Sequence, residues 1–127
     1  MINQPDVAKV QAVIVAQPGA IRGALQSILA LFPRLEISGV ADGGLTALKL
    51  VRQLKPALVV IDSGLSADEI AVLLEKIKQE QPQIYSLVFA DTTRQQEAFL
   101  ALGADAVVLH SAPTERLTEA LDNMGLW

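Results

Sequence analysis

The stretch Lys55-Pro56-Ala57-Leu58-Val59-Val60-Ile61-Asp62-Ser63-Gly64-Leu65 decides the fold. Ala57–Ile61 is five apolar residues, most of them β-branched, opened by a proline and closed by an aspartate. An unbroken run of that length suits a strand covered on both faces, the situation of a central strand in a parallel sheet. A second such run, Ala12–Ala16, stands upstream. Three further strands are predicted over Leu35–Val40, Tyr85–Ala90 and Asp105–Leu109, and the first is set at Val10–Ala16.

Between the strands the apolar period changes from two to about three and a half, the mark of helices laid back on a sheet. The first helix carries Ile21, Leu25, Ile28, Leu29 and Phe32, and the second Leu45, Leu48, Val51 and Leu54, each as one buried stripe. The third opens at Ser66, where Ser66-Ala-Asp-Glu69 has the spacing for hydroxyl and carboxylate to satisfy each other's end amides. It continues through Ile70, Leu73, Leu74 and Ile77 and stops before Pro82. A fourth helix runs from Thr93 to Leu102, with Gly103 for the left-handed closing turn. A fifth begins at Pro113, suited to a first helical position, and passes through Leu117 and Leu121. Right-handed crossovers then leave few topologies. The expectation is an α/β, single-domain, three-layer (βα)₅ unit of flavodoxin-like type, with a parallel five-stranded sheet in the order 2-1-3-4-5.

Composition agrees with one domain. The chain has 127 residues, 51% of them hydrophobic, enough to bury a full core without disulfides or metal. It has no cysteine, which removes thiolate zinc sites and cysteine nucleophiles and suits a reducing, cytoplasmic setting. Ten basic and fourteen acidic side chains give a charge of −4, and no Lys/Arg run offers a phosphate-backbone footprint, so no nucleic acid is expected on this domain. The longest apolar stretches are far short of the ~18–20 residues that span a bilayer, and the N-terminus has no secretion signal. Residues 1–8 are expected to be loosely held and 9–127 to form the domain; Trp127 suggests either a stand-alone unit or one cut from a larger regulator.

In this fold ligands gather at the carboxyl edge of the sheet. That edge should carry Ala16 and Gln17, Asp42, Asp62, Ala90 and Asp91, and His110. Asp42 and Asp91, followed by Gly and Thr, suit a turn and a helix cap. Asp62, closing the central strand, should point toward the cleft.

Here the chain resembles the receiver domain of two-component response regulators (CheY-like). The resemblance covers residues 9 to 124 and rests on Leu58-Val59-Val60-Ile61-Asp62 with Ser63-Gly64-Leu65, on Gly103-Ala104-Asp105-Ala106, and on the segment Gly39 to Leu48. It implies that Asp62 occupies the position of the aspartate that takes a phosphoryl group from a histidine kinase. It also implies a Mg²⁺ held by two acidic residues after the first strand, where this chain has Ala16 and Gln17. Mg²⁺ wants hard, charged oxygen ligands. At an effective dielectric near 20, one unit-charge pair at 4 Å contributes about 4 kcal/mol, and so one remaining carboxylate is a poor site. The family's hydroxyl after the fourth strand falls on Ala90, its lysine after the fifth on His110, its aromatic switch on Val107 and its proline after the aspartate on Ser66.

The reading that follows is a degenerate variant, a pseudo-receiver with no catalytic residue, no metal and no cofactor, signalling by protein–protein contact. Asp62 is then a carboxylate capping the loop into the third helix or pairing with His110. The alternative is a working atypical phosphoacceptor in a phosphorelay, modified at Asp62 with weak Mg²⁺ binding, for which Gln17, Asp91 or His110 substitutes in part. An enzyme or cofactor module is opposed by the absence of Asp-x-Asp at the third strand, of a phosphate loop in Gln17-Pro18-Gly19-Ala20, and of a second histidine. Expected partners are proteins, a histidine kinase or another signalling domain, through the fourth helix, fifth strand and fifth helix, or through the first helix. The small exposed residues Gly19, Ala20, Gly23, Ala24, Ser27 and Ala30 there would let a second copy approach as a homodimer.

Overall fold

The computed structural model describes residues 9–126, so the expected loose segment 1–8 and the terminal Trp127 lie outside the described residues. Ten elements alternate: β1 (Val10–Val15), α1 (Ala20–Leu29), β2 (Leu35–Ala41), α2 (Gly44–Leu54), β3 (Leu58–Asp62), α3 (Ala67–Glu80), β4 (Tyr85–Ala90), α4 (Thr93–Ala101), β5 (Ala106–Leu109) and α5 (Thr114–Met124). The five strands form one parallel sheet in the order β2-β1-β3-β4-β5, the flavodoxin-like arrangement expected from the sequence.

All five residues of β3 are buried, because helices cover both faces and strands flank both sides. Alternation sorts the core. Val59 and Ile61 join a cluster with Ala47 and Val51 of α2 and Ile70, Leu73 and Ile77 of α3. Leu58 and Val60 join the other, with Leu25 and Leu29 of α1 and Leu117 and Leu121 of α5. Ala12, Ile14 and Ala16 belong to this second face as well. Asp62 is the next residue in the Leu58–Val60 row, which directs it to the α1/α5 side at the carboxyl edge.

The stripe of α3, Ile70, Leu73, Leu74 and Ile77, is buried as predicted, as are Leu117 and Leu121 of α5, whereas those of α1 and α2 are buried only in part. Leu45 is 71% exposed, and Ile21 and Leu54 are also exposed, while Phe32 lies beyond the end of α1. The sheet-facing side of α2 is made of Gly44, Ala47 and Val51, small residues that seat the helix close to the strands and push the leucines to its flanks. Pro113 precedes α5 as its N-cap and is not its first helical residue. The Gly103-Ala104-Asp105 run has a mechanical explanation. Gly103 has φ 105°, and the amides of Gly103 and Ala104 donate to the carbonyls of Leu100 and Phe99, a Schellman closure of α4. Asp105 then accepts from the Ser86 amide at 2.8 Å and donates its own amide to the Ser86 carbonyl, fixing the start of β5 on β4.

The box predicted at Ser66 forms by half. Ser66 Oγ accepts from the Glu69 amide at 3.1 Å, but the Glu69 carboxylate accepts instead from the Gly44 amide at 2.6 Å. Gly43, the N-cap of α2, has no side chain to satisfy that helix's first turn, so an acid from the neighbouring helix does so and meets the positive end of its dipole. At the other end of the same two helices Arg52 and Glu80 form a two-pronged pair at 2.8 Å, which holds the Glu80 carboxyl below its ordinary value. Glu69→Ala is expected to cost about 1–2 kcal/mol, the loss of a charged cap, and Glu69→Gln distinctly less; urea unfolding of the two variants measures the difference.

Candidate functional site

At the carboxyl edge, Ala16, Asp62 and His110, together with Phe89, belong to the α1/α5 side of the sheet. The register pairs Val15 with Ile61 and Asp62 with Phe89, so Ala16 lies across from Asp62 on one neighbouring strand and Phe89 on the other. His110 follows Leu109 at the end of β5, its amide tied to the Ala90 carbonyl at 2.9 Å.

Asp62 is 6% exposed, and both of its carboxylate oxygens are occupied. The His110 ring lies 2.7 Å away, Nε2 to Oδ1. The Gly64 amide donates to Oδ2 at 2.9 Å. An Nε2–H donor is available to the imidazolium and to one neutral tautomer alike, so the contact holds in either state of the ring. The Phe89 ring stacks on the imidazole at a centroid distance of 5.4 Å and an interplanar angle of 28°. Phe89 is itself buried, and the His110 side chain keeps 27% of its surface in solvent. A carboxylate withdrawn from water requires donors of this kind, because an unpaired buried charge is strongly destabilising. Gly64 is required by space: a Cβ there would stand 2.6 Å from Asp62 Oδ2.

The other residues singled out in the sequence do not converge on this carboxylate. Ala16 is 1% exposed and part of the α1/α5 core, and Gln17 is exposed. Ala90 is buried and offers its carbonyl to His110; Val107 is buried in the α2/α3 core. Ser66 is the N-cap of α3. Asp42 is held by Arg22 at 2.7 Å beside the turn into α2. Asp91 is not the cap of α4, as its sequence context suggested. Thr92 is, its Oγ1 accepting from the Gln95 amide, while the Gln95 side chain accepts from the Asp91 amide at 2.7 Å. Phe89 was not singled out in the sequence, and Gly64 entered only as part of the Ser63-Gly64-Leu65 run, with no role given to it. An aromatic residue one position before Ala90 and a glycine two after Asp62 were the available signals.

The donor set does not fit a Mg²⁺ ion. One anionic side chain, Asp62, faces a methyl group across the strand pair and has its oxygens engaged by an imidazole and an amide. Among the described residues no group of three or more His, Asp or Glu side chains is assembled that could hold a metal. Among the same residues no helix is long and apolar enough to cross a membrane.

No family model matches the chain. Its fold is that of response-regulator receiver domains. The signal receiver domain of the putative response regulator NarL from Mycobacterium tuberculosis superimposes with a TM-score of 0.80 at 20% identity, covering 95% of this chain and 100% of that one. The isolated REC domain of RcsB from Salmonella enterica serovar Typhimurium, in the presence of the phosphomimetic BeF₃⁻, gives 0.78 at 16% identity over 92% of this chain and 88% of that one. At these identities the likeness establishes the fold. In sequence, the chain is 31% identical over 103 residues to protein-glutamate methylesterase/protein-glutamine glutaminase 1 of Methanospirillum hungatei, a match covering 78% of this chain and 30% of that protein. It is 29% identical over 120 residues to protein-glutamate methylesterase/protein-glutamine glutaminase 5 of Myxococcus xanthus, covering 94% and 34% respectively. The chain therefore spans about a third of the length of the curated relatives it matches, and most of each of those proteins has no counterpart in it.

Proposed function

We propose that this chain is a receiver-type signalling domain that works by protein contact and has lost phosphoryl-driven switching. The observation that carries the reading is the double engagement of Asp62, by His110 Nε2 at 2.7 Å and by the Gly64 amide at 2.9 Å. A phosphoacceptor carboxylate needs a free oxygen as nucleophile and a divalent cation to draw charge from the incoming phosphoryl group. Here the oxygen is shielded, and the residues that would accompany it are Ala16, Gln17 and Ala90. His110 takes the place of an external cation as the positive or hydrogen-bond-donating partner. The domain is thereby held in one arrangement, and its output is the surface it presents to a partner protein, a histidine kinase or another signalling domain. The receiver fold and the partial match to the methylesterases support the signalling assignment; the esterase activity of those relatives is not carried over, since about two thirds of their length is unmatched.

Incubation with Mg²⁺ and acetyl phosphate, followed by intact-mass measurement, tests this directly. The expected result is an unmodified chain, and a beryllofluoride titration is expected to leave the amide spectrum of the loops after β1, β3 and β4 unchanged. A single phosphoryl adduct on Asp62 would establish the working phosphoacceptor instead.

A further inference from the structure

The outer surface of α2 and α3 carries apolar side chains that the fold does not use. Leu45 is 71% and Val72 52% exposed, and together with Leu48 and the floor residue Leu73 they line an open groove of about 340 Å³ between the two helices. This groove is on the opposite face of the sheet from Asp62 and His110, so nothing in it depends on the reading of that carboxylate.

The charges around it are arranged with a direction. Along α3, Asp68, Val72 and Lys76 recur every four residues and so form one ridge, acid, apolar and base in turn, about 12 Å from end to end. Among the described residues neither Asp68 nor Lys76 is in a hydrogen bond or a close salt bridge; Lys76 acts on Glu80 only at longer range, Glu80 being bonded to Arg52, and Glu69 is committed to Gly44. A ridge of this kind is its own complement when turned end for end. A two-fold axis near Val72 would set the Val72 side chains together, with Leu45 and Leu48 beside them, and turn each Asp68 toward Lys76 of the second copy. Two-fold interfaces are built this way, the same patch serving both partners.

We infer that the α2–α3 groove is a homodimerisation surface, occupied by the same groove of a second copy in antiparallel orientation. Helices of 11 and 14 residues are about 16 and 21 Å long, so the patch is below the ~800 Å² per partner of a standard stable interface, and the pairing is weak and concentration-dependent.

Sedimentation velocity of the full chain between about 10 μM and 1 mM, the range in which weak pairs populate, reads the equilibrium. The expected result is a monomer that shifts to dimer with concentration, less so at high salt. Val72→Asp is expected to weaken association at least tenfold with an unchanged circular-dichroism spectrum, the residue being exposed. Asp68→Lys is expected to weaken it several-fold, and Asp68→Lys combined with Lys76→Asp to restore it. A chain that stays monomeric throughout the range overturns the proposal. So does a dimer indifferent to Val72→Asp and to the charge exchange, which would have formed through another face.

Discussion

Replacing Ala16 and Gln17 together by aspartate is expected to make the domain less stable in EDTA and, unlike the wild type, more stable as Mg²⁺ is added. Ala16 is buried and follows Val15, which pairs with Ile61, so continuing the register sets it across from Asp62 at the ~4.8 Å spacing of adjacent strands. Two carboxylates at that spacing repel by about 3 kcal/mol at an effective dielectric of 20, and Ala16→Asp is taken out of water besides. The existing His110 contact offsets part of this. In EDTA a net loss of about 2–3 kcal/mol follows, nearly all of it from Ala16→Asp, since Gln17 is exposed and exposed substitutions change stability by at most about 0.5 kcal/mol. A divalent ion reverses the sign, because three carboxylates in one cleft are the hard, charged donor set Mg²⁺ takes up. Binding to the folded state alone returns about 2.7 kcal/mol when the ion is at a hundred times its dissociation constant. Urea midpoints with EDTA and with millimolar Mg²⁺ measure both signs. The idea fails if wild-type protein gains as much from the metal as the double variant does, for then Asp62 already holds the ion without an acidic pair.

The fold was legible because its signals are redundant. Ala57–Ile61 and Ala12–Ala16 announce buried strands through β-branched continuity, and β3 and β1 do occupy the interior of the sheet. Helix faces were less legible. A stripe traced through Leu45, Leu48, Val51 and Leu54 weights large side chains, yet the side of α2 that meets the strands is Gly44, Ala47 and Val51. Close approach to a sheet selects small residues, and hydrophobicity alone does not register them. The same limit applied to Glu69: its spacing from Ser66 indicates a local partner, and the competing amide of Gly44 is 25 residues away in sequence.

At the candidate site, the juxtaposition of Asp62 and His110 followed from topology, since β3 and β5 end on the same edge with only β4 between them. Capping of the next loop and pairing with the histidine appeared in the sequence as alternatives; in the structure one carboxylate does both, one oxygen to each. What sequence could not supply was the supporting contact from Phe89, because whether an aromatic one residue before a strand end faces the histidine or the opposite core depends on register. Asp91 and Thr92 illustrate the same point at one residue's resolution. Both are good caps, and the turn that leaves β4 puts Thr92 at the position where its hydroxyl meets the Gln95 amide.

Asp62→Ala is expected to destabilise the domain by about 3–6 kcal/mol, the sum of two hydrogen bonds to a charged acceptor. The substitution strands the Gly64 amide and leaves the His110 ring, stacked on Phe89, without its acceptor. Asp62→Asn keeps the shape and one carbonyl oxygen, so it should recover roughly half of the loss by satisfying one of the two donors. Gly64→Ala should approach the same result from the other side, since its Cβ would displace Oδ2. If instead Asp62 were a nucleophile kept ready by frustration, an anion held against its surroundings, then removing the charge would relieve that strain, and Asp62→Ala would be neutral or stabilising. Sign alone therefore distinguishes a carboxylate that holds the edge together from one that is held under tension. A double-mutant cycle with His110→Ala locates the effect: a coupling of about 1–2 kcal/mol places the stabilisation in the 2.7 Å contact, whereas additivity would mean that His110 contributes nothing to keeping the aspartate in place.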